Sequence, residues 1–123
     1  MKTYHPELAS GRWFTFSIAE QLGNVGSEYE RALRAKGQGD EVRFEHALAR
    51  LLELLDFSIA DPRWRNQRLR ELCRVREIVC DQLCSERPEP WSLPDLRDYF
   101  LNFGILARIE REQRMNAEAL SAK

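Results

Sequence analysis

A chain of 123 residues provides for one hydrophobic core and excludes a two-domain organisation. With 43% hydrophobic and 32% charged residues, the composition is that of a folded domain and not of a disordered segment. The formal charge of −1 excludes a whole-molecule field that would gather nucleic acid or an anionic membrane.

Residues 1–16, "MKTYHPELASGRWFTF", carry no apolar core or cleavage pattern of a secretion signal. Trp13, Phe14 and Phe16 are expected to cover an open end of the core. The first helix is predicted over Ser17–Lys36, where Ser17 and Glu20 have the spacing of a capping box. Ile18, Leu22, Val25, Tyr29, Ala32 and Leu33 form its apolar stripe. Gly23 and Gly26 weaken that helix by about 1 kcal/mol each relative to Ala, which points to a close helix approach. "KGQGD" ends it, with Gly37 read as the residue just past the C-terminus.

Asp40 is predicted to cap a second helix that turns Phe44, Ala47, Leu48, Leu51, Leu55 and Ile59 inward. Asp61 followed by Pro62 reads as an N-cap with proline at the first helical position. A third helix then spans Pro62–Ser85, joined so tightly to the second that the two must run antiparallel. "ERPEPW" breaks it. Ser92 and Asp95 cap a fourth helix with Leu96, Phe100, Phe103 and Ala107 inward. The expected architecture is a single-domain, all-α antiparallel four-helix bundle over 17–110, preceded by the segment 1–16 and followed by a fraying polar tail, 111–123.

One residue breaks the apolar seam of the third helix. Arg76 stands between Leu72 and Val79, where a guanidinium without a partner would cost several kcal/mol. The expected partner is Glu28 on the first helix, with Asn24 or Asp56 taking the remaining hydrogen bonds and Arg31 on the same flank. Arg63, Arg70 and Arg74 are expected to form an outward basic stripe able to meet phosphates. Aromatic stacking residues are missing from that face, so nucleic acid ranks behind protein as a partner. Val42, His46, Ala49 and Phe57 make an unusually apolar outer patch on the second helix, the candidate dimer contact.

Cys73, Cys80 and Cys84 fall within one predicted helix, an odd count that suits a reducing cytosol, and read as small buried hydrophobes. With only His5 and His46 to add, they fall short of a zinc ligand set, so no metal is expected. No cofactor loop or nucleophilic triad is present, and no residue is assigned a catalytic role. No apolar run approaches the roughly 18 residues of a membrane span, and the expected location is the cytoplasm.

The runs "NVGSEYERALRAKG", "LELLDFSIADP" and "LRELCRVREIVCD" together resemble a group of small bacterial all-helical proteins without an assigned activity. The likeness spans most of 13–107 and implies a helical fold; it points to Asn24, Glu28, Arg31, Asp56, Arg76 and Asp81. More loosely, the four-helix plan is similar to the HEPN superfamily of ribonuclease toxins and helical partners of small nucleotidyltransferases. Those ribonucleases place an arginine four to six residues before a histidine; here Arg43 and His46 are three apart. The expected function is non-enzymatic binding of a protein partner, either a second copy in a homodimer or another bacterial protein. The alternative is a HEPN-like ribonuclease or a helical partner subunit.

Overall fold

The computed structural model describes residues 3–86 and 96–122, and these form an all-α helical bundle. Its helices are α1 (Pro6–Ala9), α2 (Ile18–Gly37), α3 (Glu41–Ala60), α4 (Gln67–Cys84) and α5 (Leu96–Ser121). Two 3-10 turns, Arg12–Thr15 and Pro62–Trp64, stand at joints, and no strand occurs among the described residues. The expected caps at Ser92 and Asp95, and the prolines of "ERPEPW", lie outside the described residues.

α2 starts as its sequence requires. Ser17 Oγ accepts the Glu20 N–H and Glu20 accepts the Ser17 N–H, both at 3.1 Å. The left-handed residue that closes it lies two positions beyond the expected glycine. Gly37 is still helical, and Gly39 takes the left-handed conformation at φ 70°. The Gly39 and Asp40 N–H groups donate to the carbonyls of Lys36 and Ala35, which closes a Schellman motif. Asp40 then caps α3 by accepting the Arg43 N–H.

The third predicted helix divides. Asp61 caps a 3-10 turn through the Arg63 N–H, and α4 begins at Gln67 beneath a second cap, Asn66. The non-helical backbone of Asn66 (φ −133°, ψ −142°) interrupts the helical run that the proline start suggested. The tail also differs from expectation, since α5 continues to Ser121. Residues 110–121 hold good helix formers and neither glycine nor proline. Glu110 accepts a hydrogen bond from Ser17, and Arg114 pairs with Glu20 at 3.6 Å.

α2 packs against both α3 and α5. Trp13, Leu22, Leu51, Leu55, Leu72, Ile78 and Leu83 are fully buried at the centre. The expected close approach at the α2 glycines is present: a Cβ on Gly23 would stand 3.2 Å from Gly104 Cα. At the other end of α2, Lys36 Nζ donates to the Leu83 carbonyl (2.9 Å) and so satisfies an orphan acceptor at the α4 C-terminus. Of the aromatic lid, Trp13 is buried and Phe16 half-buried, whereas Phe14 is exposed.

The cysteines are not core residues as expected. Cys73 and Cys84 are exposed and Cys80 is half-buried, because they flank the stripe of Leu72, Val75, Ile78, Val79 and Leu83 that α4 buries. Burial pushes the Cys80 thiol above its ordinary pKa, and the nearby Arg76 charge only partly offsets this.

Candidate functional site

The buried polar centre of the molecule is built on Gln21, a polar residue on the otherwise apolar inward face of α2. Gln21 is fully buried among α2, α3, the first 3-10 turn and the α3–α4 joint. Its Nε2 donates to the Trp13 carbonyl and to Asp61 Oδ2, each at 3.0 Å. Its Oε1 accepts from Ser58 Oγ (2.8 Å) and Trp64 Nε1 (3.0 Å). Both donors and both lone pairs are used, which fixes the amide orientation. Ser58 Oγ accepts Trp13 Nε1–H in turn, so one amide ties four segments together.

Asp61 completes this centre. Its carboxylate receives the Arg63 backbone N–H, Arg63 Nη2 (2.7 Å) and Gln21. Burial pushes its pKa up, but the hydrogen bonds from Arg63 and Gln21, with the Arg63 charge, outweigh burial and hold it below the usual range. Arg63 Nη2 also donates to the Phe16 carbonyl, and its guanidinium lies 4.5 Å from the Trp64 ring centroid. Every buried side-chain polar atom among the described residues has a partner. With its buried donors and acceptors all used, this network fixes the geometry of the segments that meet there. The signal in sequence was a lone glutamine beside Leu22 on the inward face of α2.

The expected Glu28–Arg76 pair does not form. Arg76 Nε donates to Asp56 Oδ1 at 2.8 Å, and the two side chains are 38% and 56% exposed. Glu28 lies on the α2 flank that faces α3, where Arg50 Nε (3.2 Å) and Arg31 Nη1 (2.8 Å) reach one oxygen each. The six residues expected in one network therefore separate. Asn24 is exposed and bonds to the Glu20 carbonyl, and Asp81 is half-buried on α4.

Two surface expectations are corrected as well. Phe57 rests on the core against Trp13 (centroids 6.4 Å apart), which removes the aromatic centre of the patch with Val42, His46 and Ala49. Arg63 is captured by Asp61, so Arg63, Arg70 and Arg74 do not form a uniform basic stripe.

Two other surfaces stand out. The first is the outer face of α5, where Leu101, Ile105, Leu106, Ile109, Met115 and Leu120 are all exposed. At about 100° per residue, Leu101, Ile105 and Ile109 lie opposite the buried Leu96, Phe100 and Ala107, so α5 is apolar on two sides. The second is an open groove of about 300 Å³ between α2 and α3, lined by Arg31, Arg34, Arg43, His46, Arg50 and small residues.

Among the described residues, no cluster of His, Cys, Asp and Glu is placed to hold a metal ion. No helix there is long and apolar enough to cross a membrane. No family model, curated protein or solved structure matches the chain.

Proposed function

We propose that the protein is a non-enzymatic cytosolic helical bundle that acts by protein–protein binding, and that its partner along α5 is a second copy. The observation that carries this reading is the second apolar stripe of α5, opposite the one that meets α2. A solvated helix face of this kind ordinarily carries polar residues. The same helix outruns its neighbour. Ser17, just before α2, already meets Glu110, and residues 111–122 beyond are exposed throughout. A short helical overhang is marginal by itself in water, and a partner helix would stabilise it. Arg108, Arg111 and Arg114 alternate with Glu110, Glu112 and Glu118, a mixed pattern that is complementary to its own reverse in an isologous contact.

The four long helices, α2 to α5, make an antiparallel bundle in this reading. Its support is in the paired residues: Gln21 with Ser58 and Glu28 with Arg50 between α2 and α3, and Gly23 with Gly104 and Glu30 with Arg97 between α2 and α5. In both pairs the numbers rise on one helix as they fall on the other.

Sedimentation equilibrium tests the proposal. The expected result is twice the 14.5 kDa chain mass, returning toward the monomer on dilution. A monomer at every concentration would contradict it. The binding role carries a companion expectation, that total RNA stays intact with the purified protein. Cleavage abolished by His46→Ala would favour the ribonuclease alternative.

A further inference from the structure

The groove between α2 and α3 concentrates cationic groups in a chain that is nearly neutral overall. Arg31, Arg34, Arg43, His46 and Arg50 line it with Gln38, Ala35 and Ala47, and no carboxylate is among the lining residues. Elsewhere on the surface Arg97 has Glu30 as an acid partner and Arg76 has Asp56. Here four guanidinium groups line one groove, and three of them, Arg31, Arg43 and Arg50, pair with only two carboxylates, Glu28 and Asp40.

The way Glu28 is shared matters most. Its side chain is only 8% exposed and it gives one oxygen to each of two arginines, one from each wall of the groove. Arg31 uses Nη1 and Arg50 uses Nε for that contact, which leaves most of the five N–H donors of each guanidinium available. The carboxylate thus holds two cations side by side and neutralises one charge between them. Arg34, one turn along α2, lines the same groove and makes no ion pair among the described residues. Ala35 and Ala47 are buried beneath and keep the floor low.

We propose that this groove is a binding site for a small phosphate-bearing anion, held by Arg31, Arg34 and Arg50. Guanidinium groups match phosphoryl oxygens with paired, charge-assisted hydrogen bonds, and a di- or triphosphate group supplies enough oxygens for three of them. Part of the ordering entropy has already been met, because Glu28 fixes two of the three arginines before the ligand arrives. The site lies on α2 and α3, so it is independent of self-association through α5.

Titration of the full chain with inorganic pyrophosphate at low ionic strength, followed by calorimetry, tests the site. Saturable one-to-one binding is expected, weakened about tenfold or more by Arg50→Gln, as for the loss of charge-assisted hydrogen bonds. Arg34 is exposed and makes no ion pair among the described residues, so Arg34→Gln should fold normally and still weaken binding several-fold. Arg70→Gln, on the exposed surface of α4, should change nothing. Equal weakening by Arg70→Gln, no saturation with pyrophosphate, or binding confined to long polyribonucleotides would each overturn the proposal.

Discussion

Phe100 of α5 occupies the space in which a side chain on residue 26 of α2 would begin. A Cβ built on Gly26 stands 2.5 Å from Phe100 Cβ and 3.2 Å from its Cγ. Neither atom is the free end of a flexible chain, so the helices must part to admit a methyl group. Overpacking of this kind costs about 1–3 kcal/mol and outweighs the gain of about 1 kcal/mol in helix propensity. Gly26→Ala should lower stability in urea unfolding. Gly37→Ala, which meets nothing within 4 Å at a helical backbone, should raise it by up to about 1 kcal/mol.

Replacing Gln21 by Leu keeps the volume but removes partners for Trp64 Nε1, Ser58 Oγ and Asp61. Leaving buried polar groups unsatisfied costs about 1–3 kcal/mol each before relaxation. The expected loss is therefore about 3 kcal/mol, measured by chemical denaturation, with Trp fluorescence reporting the loosened 3-10 turns.

Asp61 gives stability a defined pH dependence. Its folded pKa is lowered, so its contribution is complete above the unfolded value of about 4 and is lost as pH falls through the folded value. Asp61→Asn should destabilise the protein at pH 7, and the gap from wild type should narrow as pH drops below about 4. Glu53 follows the same direction: burial raises its pKa, but the Tyr4 and His5 N–H groups and the His5 ring outweigh it. Acid should consequently release the N-terminal segment from α3, visible as lower protection of the Tyr4 and His5 amides relative to their intrinsic exchange rates at the same pH.

Arg76→Ala should cost no more than about 1 kcal/mol, the scale of an exposed ion pair, because Arg76 and Asp56 both remain in contact with solvent. Thermal melting within a few degrees of wild type is the expected result. A fall matching a buried unpaired charge, about 3–5 kcal/mol, would show that the pair is shielded from water.

Local rules made much of this fold legible. The Ser17–Glu20 capping box, the Asp40 cap and the Gly23–Gly26 approach each depend on residues close in sequence or on size alone. Which carboxylate meets Arg76 was not legible, since Glu28 and Asp56 both border inward stripes and only the relative rotation of α2, α3 and α4 selects between them. The Gln21 centre was hidden for a related reason. Its partners come from residues 13, 58, 61 and 64, and one polar residue on an apolar face does not announce them. The outer stripe of α5 is readable from the i, i+4 spacing of Leu101, Ile105 and Ile109, but with Leu96, Phe100 and Ala107 on the opposite side the pattern alone does not say which stripe faces the core.

The most direct measurement of the central claim is the solution mass of wild type, of the double variant Ile105→Glu/Ile109→Glu and of Val42→Glu, all at one high concentration at which the proposal predicts a wild-type dimer. Ile105, Ile109 and Val42 are all exposed, so either variant should retain the helical circular dichroism of the parent. The account predicts a folded monomer for the α5 variant and an unchanged dimer for Val42→Glu on α3. A dimer that survives both glutamates on α5 but dissociates with Val42→Glu would contradict it.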